Sequence, residues 1–237
     1  MDESRKTNLI RGTRFAEQYL SGVVIDIGCG RDPVCPNAEP FDIPHGDAAQ
    51  IASLRPNDHY DTVHSSHCLE HMPDPVAAIH QWWKLVKPGG HLIVVVPDEN
   101  LYEQGFWPSR FNSDHKATFR LGGTDSWSPV SHDIKELVKS LPGAELIDAV
   151  RHDYLYDYSL QVIPGQKKFQ TPWFPVRFVR KLLRAITKPL GKQMRQEKIR
   201  SFEDYCCRQF GIPVDQTSRE ALAQIQVIAR KKLAHPA

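Results

Sequence analysis

Apolar positions along the chain come in short dense runs separated by polar turns, and the runs alternate between two periods. Residues 23–27 (Val-Val-Ile-Asp-Ile) form an almost continuous run of β-formers, which predicts a strand buried on both faces, as in a parallel sheet. Residues 41–43 read as the end of a second strand and 60–65 (YDTVHS) as another short one. Residues 91–96 (HLIVVV), closed by Pro97, are the strongest strand signal. Between these runs, residues 76–86 place Val76, Ile79, Trp83 and Val86 at helical spacing, and Pro88-Gly89-Gly90 is expected to stop that helix. Further on, 131–140 predicts a helix opened by a Ser/Asp signal, 144–150 a strand, and 223–230 a last strand with Ile225, Val227 and Ala229 alternating. Strands and helices of these lengths in alternation predict an α/β fold on a parallel sheet with right-handed crossovers.

The 237 residues suit one α/β domain with an elaboration, or one large and one small domain, and 41% hydrophobic content is compatible with a substantial core. No apolar run approaches the roughly 20 residues needed to span a bilayer. The first fifteen residues are too charged for a signal-peptide core. Five cysteines (Cys29, Cys35, Cys68, Cys206, Cys207), odd in number and without Cys-x-x-Cys, point to a reducing, cytoplasmic setting and away from disulfides or a zinc finger.

The net charge of +2 hides an asymmetry. Residues 161–200 hold eleven Lys/Arg, among them Lys167 and Lys168, against Glu197 alone, so this segment is +10 and the rest is −8. Within it, 175–190 (PVRFVRKLLRAITKPL) sets Val176, Val179, Leu182, Leu183 and Ile186 on one helical face, with Trp173 and Phe174 just before. Such a helix either packs on its own domain or lies in a membrane interface, so 173–190 is a candidate for peripheral contact with the inner face of a membrane. No RNA-binding module accompanies the patch, and a nucleic-acid partner is not expected. Neither the composition nor the motifs disclose an oligomeric state.

The chemistry begins at Asp26-Ile27-Gly28-Cys29-Gly30, where a buried strand runs into a Gly-x-Gly turn with an acid near its end. A buried Asp26 needs a partner. Behind it, in order, stand FDI at 41–43, GDA at 46–48, LEHMPDP at 69–75 and KPGG at 87–90. With these motifs the sequence resembles the class I S-adenosylmethionine-dependent methyltransferases, in particular their type 11-like domains. The resemblance covers roughly residues 20–152 and 222–231. It implies a Rossmann-like, doubly wound, mainly parallel sheet with an antiparallel last strand. The domain would be formed by 1–152 and 221–237, and 153–220 would be an insertion carrying the basic helix within the same structural unit.

The resemblance also implies a cofactor site for S-adenosyl-L-methionine. Asp26, Gly28 and Gly30 match the loop around the methionine end, Asp42 the acid that accepts from the ribose hydroxyls, and Asp47 and Ala48 the segment that holds the adenine. Ser65, Ser66 and His67 would line the mouth. The usual third glycine is replaced near Asp32, and only eleven residues separate Gly30 from Asp42, so the first crossover helix is expected to be shortened or replaced by a loop.

Methyl transfer from a sulfonium rests mainly on positioning, with a base where the nucleophile is poor. His67 and His115, with an ordinary pKa of about 6.5, are the leading base candidates, followed by Asp98 at the carboxyl edge of the strongest strand. His67, Glu70 and His71 stand as H-x-x-E-H, which reads either as a turn with a capped helix or as a divalent-metal site. Residues 100–127 are aromatic-rich and irregular, a candidate lid in which Tyr102, Phe106, Trp107, Phe111 and Phe119 form an apolar or sugar-stacking wall or simply pack the lid onto the sheet. The expected activity is O-methylation of a sugar or glycan hydroxyl. The alternatives are a methyltransferase for a quinone, phenol or amine, or a cofactor-binding partner subunit without turnover.

Overall fold

Six strands form the central sheet of the computed structural model, which describes residues 3–162, 172 and 174–233. In chain order the elements are α1 (Glu3–Asn8), α2 (Thr13–Tyr19), β1 (Val24–Ile27), β2 (Glu39–Phe41), β3 (Tyr60–Ser66), α3 (Pro75–Leu85), β4 (Val86–Pro97), β5 (Thr118–Arg120), β6 (Ser131–Asp133), α4 (Ile134–Lys139), β7 (Ala144–His152), α5 (Val176–Ile186), α6 (Lys192–Phe210) and β8 (Gln224–Lys231). The sheet order is β2-β1-β3-β4-β8-β7; the first four strands are parallel, and β8 is antiparallel to both its neighbours. This is the mixed α/β sheet with an antiparallel last strand that the sequence predicts. After β1 the chain turns to β2 on one side and then crosses to β3 on the other, which opens a crevice at the carboxyl ends of the strands.

Period-two alternation sorts the strand residues between two buried faces. Ile25 and Ile27, Val63, Leu92, Val94 and Val96, with Ile225, Val227 and Ala229, pack under α3 and α4 through Ile79, Trp82, Ile134 and Val138. On the other face Tyr19 of α2 packs with Ile93 and Ile228. That face also carries polar residues, because the β1–β3 register sets Asp26 beside His64. The short helices α1 and α2 carry no periodic signal strong enough to be read from sequence.

Two local expectations change, and a third is met. The helix α3 ends at Leu85, ahead of Pro88-Gly89-Gly90, and β4 begins at once at Val86. The Pro-Gly-Gly segment is therefore strand, and its register against β3 shifts between Tyr60 and Thr62. A Cβ on Gly90 would stand 2.9 Å from the Asp61 carbonyl oxygen and 3.0 Å from that of Tyr60, so only glycine lets the two strands approach. The helix expected from residue 131 starts at Ile134, since 131–133 pair with β5 and Asp133 caps the helix by accepting from Lys135 and Glu136 N–H. The described residues 28–38 hold turns and no helix, which agrees with a shortened first crossover.

Cα proximity divides the chain into two compact units, Met1–Tyr156 with Thr217–Ala237, and Asp157–Gln216. The second holds α5 and α6, joined by Arg180 Nη2 to Glu203 at 2.9 Å and by Phe174 stacking near Phe202 and Phe210. Lys167, Lys168 and Trp173 of the basic segment lie outside the described residues. All five cysteines are free thiols.

Candidate active site

The turn after β1 is held by backbone and by one carboxylate. Gly28 has φ +75°, a conformation that favours glycine, and its N–H donates to the Phe41 carbonyl at 2.7 Å. Gly30 N–H donates to Asp42 Oδ2 at 2.7 Å, and Asp42 Oδ1 accepts from Ile43 N–H at the same distance. The Asp42 carboxylate thus joins the ends of β1 and β2 while staying partly exposed. Next to it Asp47 accepts from Ala49 N–H at 2.8 Å, and the Ala48 carbonyl accepts from the buried Trp82 indole at 3.0 Å.

These residues border a cavity of about 450 Å³ lined by Gly28, Asp42, Gly46, Asp47, Ala48 and Cys68, with Ile43 and Met72 completing it. Four residues expected from sequence to hold a cofactor therefore share one wall: Gly28, Asp42, Asp47 and Ala48. Gly30 acts through its N–H on Asp42. Asp26, Ser65 and Ser66 are not among the lining residues.

Each of those three is accounted for by burial. Asp26 is wholly buried, with Oδ1 2.6 Å from His64 Nδ1 and Oδ2 accepting from Val34 N–H at 2.6 Å, so it braces the turn from beneath. His64 Nε2 lies 3.3 Å from both Arg11 terminal nitrogens, and Arg11 Nε donates to Gln226 Oε1 at 2.9 Å. Burial lowers the Arg11 guanidinium to about 10 against the pull of Asp26, and burial holds the His64 imidazole below its ordinary value despite the same carboxylate. Ser65 Oγ donates to the Ile27 carbonyl at 3.0 Å. Ser66 Oγ is buried and has no hydrogen-bond partner among the described residues.

Ile43, Gly46, Cys68 and Met72 were not foreseen as lining residues. The sequence signal for Ile43 is its place directly after Asp42 in FDI; the structure adds that it is 89% exposed, an apolar surface that a ligand would cover. Cys68 carries no such signal. Burial, with Glu70 and Asp42 near, pushes its thiol far up, so it stays protonated.

The base candidates divide. His67 sits at the end of β3 with φ +54°, its Nε2 3.0 Å from Gln224 Oε1 and its Nδ1 3.4 Å from Glu70 Oε1. His115 is buried, with Nδ1 2.6 Å from Glu103 Oε1. Asp98 is fully buried, and both oxygens are engaged: Oδ1 accepts from Asn100 and Leu101 N–H, and Oδ2 lies 2.6 Å from Arg151 Nε. That occupation makes Asp98 a cap and an ion-pair partner, and it leaves the base set.

The H-x-x-E-H reading regroups in space. Glu70 and His71 lie on a 3₁₀ turn after β3, and the segment before β5 returns to them, with Lys116 N–H donating to the Glu70 carbonyl at 2.7 Å. Glu70, His71 and His115 each offer a ligand atom within 4.8 Å of the others. The third member is thus His115 from the segment before β5, in place of His67. Burial would raise the Glu70 carboxyl, but His67, His115 and His71 outweigh it and hold it below its ordinary value. Tyr102 flanks the cluster, 5.3 Å from the His115 ring and 5.7 Å from that of Phe111. Phe119 is wholly buried in the main core, so it packs and forms no wall.

A family model described as a methyltransferase domain matches residues 1–141. Over 41 residues the chain is 46% identical to a ubiquinone biosynthesis O-methyltransferase from Alkalilimnicola ehrlichii, a segment covering 17% of this chain and 17% of that enzyme. Among solved structures it is similar to a SAM-dependent methyltransferase from Archaeoglobus fulgidus, at 16% identity, 97% of this chain, 94% of the other and a TM-score of 0.47. It is also similar to phosphoethanolamine N-methyltransferase 2 of Haemonchus contortus in complex with S-adenosyl-L-methionine, at 12% identity, 79% of this chain, 36% of the other and a TM-score of 0.37.

Proposed function

This chain belongs to the methyltransferase-domain family, of class I and S-adenosylmethionine-dependent, and from that premise we propose that it methylates a hydroxyl group, on a sugar or glycan. The observation that carries the cofactor half is the cavity at the β1–β2 edge. Its residues suit S-adenosylmethionine: Asp42 offers carboxylate lone pairs to paired ribose hydroxyls, Ile43 an uncovered apolar surface to a base, and Gly28 a backbone with no side chain in the way. Bound there, the cofactor supplies a methyl group activated by a positive sulfonium.

The protein's own part is to orient the acceptor, exclude water and take one proton. His67, just after β3, and His115, whose tautomer Glu103 sets, are the groups suited to that proton transfer. Tyr102, against the His115 ring, and Phe111, against Tyr102, supply flat surfaces of the kind a sugar ring requires. The same surfaces suit a phenol or quinol, and the local identity to a ubiquinone O-methyltransferase favours that second reading.

Calorimetry with S-adenosylmethionine and S-adenosylhomocysteine tests the first half, and an absence of binding defeats it. Methyl transfer from labelled cofactor to a panel of sugars and phenols tests the second. Product from phenols alone replaces the glycan reading.

Peripheral membrane contact is part of the same proposal. In α5, Phe178, Leu182 and Ile186 follow one another at four-residue spacing and are 63, 50 and 61% exposed, beside Arg177, Lys181 and Arg184. Val176, Val179 and Leu183 are half-buried. No helix among the described residues is long and apolar enough to cross a membrane. Flotation with anionic vesicles should recover the wild type and not a variant with Ser at 178, 182 and 186; equal flotation of the two ends the idea.

A further inference from the structure

The carboxylate of Glu70 is 1% exposed, and neither oxygen has a hydrogen-bond partner among the described residues; His67 Nδ1 stands 3.4 Å from Oε1, and Oε2 faces no such group. A buried carboxylate in that state is costly unless a cation completes it. Two imidazoles converge on it, His71 from the same turn and His115 from the segment before β5. Their rings meet edge to face with centroids 5.0 Å apart. Each has its Nδ1 at a second carboxylate, His71 at Asp114 Oδ2 (3.0 Å) and His115 at Glu103 Oε1 (2.6 Å). A carboxylate that accepts from Nδ1–H leaves Nε2 as the basic nitrogen and raises its strength as a donor, the arrangement that orients histidines toward metal ions.

We propose that Glu70, His71 and His115 bind one divalent transition-metal ion, and that this ion ties the turn after β3 to the lid segment 112–117. Two nitrogens and one oxygen form a borderline donor set, which suits Zn²⁺, Co²⁺ or Ni²⁺ and disfavours the oxygen-seeking Mg²⁺ and Ca²⁺. Three protein ligands leave a position open, and half-buried His71 is the side through which a further ligand reaches it. Resting on the methyl-transfer reading, that open position is where the acceptor hydroxyl would coordinate and become more acidic. His115 is then a ligand, and the base role falls to His67.

The test is calorimetric titration of Zn²⁺ and, separately, Mg²⁺ into the full chain stripped with chelator, with S-adenosylhomocysteine binding measured on the same samples. The expected result is one Zn²⁺ per chain, at least tenfold weaker in His71→Ala, His115→Ala and Glu70→Gln, and Mg²⁺ at least a hundredfold weaker than Zn²⁺. Co²⁺ should give the visible absorption of a site with nitrogen ligands, lost in His71→Ala. His71→Ala should still bind S-adenosylhomocysteine, which shows that it is folded. Protein that binds S-adenosylhomocysteine but takes up no Zn²⁺ saturably overturns the site, as does Zn²⁺ binding that the three substitutions leave unchanged. Zn²⁺ binding with the expected losses but no S-adenosylhomocysteine binding upholds the site and defeats the cofactor reading alone.

Discussion

The side chain of Cys68 fills the space that a methyl group on Gly28 would need. A Cβ built on residue 28 would stand 2.5 Å from Cys68 Cβ and 2.6 Å from its Sγ, and the φ of +75° adds strain for any side chain. The turn after β1 and the turn after β3 therefore meet at contact distance on the floor of the cavity.

Gly28→Ala should push these turns apart, weaken S-adenosylhomocysteine binding at least tenfold by calorimetry, and cost about 1–3 kcal/mol of stability. Cys68→Ala should not rescue it, because the nearer contact is to Cβ. Cys68→Gly should restore part of the affinity. Wild-type affinity in Gly28→Ala would show that the floor is not where the cofactor lies.

Asp42 accepts two backbone N–H bonds and is proposed to accept the ribose hydroxyls as well. Asp42→Ala is expected to lose binding at least tenfold and about 1–2 kcal/mol of stability, the cost of two orphaned donors that water reaches in part. Asp42→Asn keeps one acceptor oxygen and turns its NH2 toward the other donor, so it should recover part of the stability but not the affinity. A variant that keeps both properties would dismiss the ribose role.

Trp82 acts on the site from the core, through its indole N–H on the Ala48 carbonyl. Trp82→Phe keeps an aromatic ring there and removes the bond, so about 1–2 kcal/mol should be lost in urea unfolding, with a several-fold weaker cofactor complex. Stability loss with unchanged affinity would mean that Ala48 does not touch the cofactor.

Stability should fall on acidification below neutrality. Burial holds His64 below the ordinary 6.5, with Asp26 and Arg11 the charged groups that face it. The unfolded chain takes up a proton near pH 6.5 and the native chain does not, so this contribution is complete above 6.5 and is lost as pH falls toward the native value. His91, His132 and His152 are lowered in the same direction and share the wild-type slope. His64→Asn keeps a donor for Asp26 and removes one titrating group. Below pH 6.5 its stability should depend on pH less steeply, by up to about 1.4 kcal/mol per pH unit. Parallel stability curves for the two proteins would place a charged histidine at 64.

Arg151→Ala leaves the buried Asp98 carboxylate with backbone donors only, and about 1–3 kcal/mol should be lost. Because Asp98 caps a turn, Asp98→Asn should lower the melting temperature while kcat falls less than tenfold. A hundredfold fall in kcat at unchanged stability would return Asp98 to the base set.

The sheet and the turns that border the cavity were legible in the sequence because both depend on local order. Runs such as 23–27 and 91–96 are buried on two faces wherever a parallel sheet forms, and the short interval between Gly30 and Asp42 leaves no room for a long helix. The Asp26 carboxylate inside such a run announces a partner without naming it. His64 became that partner through the β1–β3 register, a relation between residues 38 positions apart. Cys68 became the floor under Gly28 in the same way. The cluster at Glu70 carries the point furthest: the chain alone offers His67, three residues away, which does stand 3.4 Å from Glu70, whereas only the return of the segment before β5 adds His115 to Glu70 and His71. Periodicity and turn chemistry act over a few residues and can be read in one dimension. Which side chains share a buried space depends on packing between distant segments, and only the tertiary structure decides it.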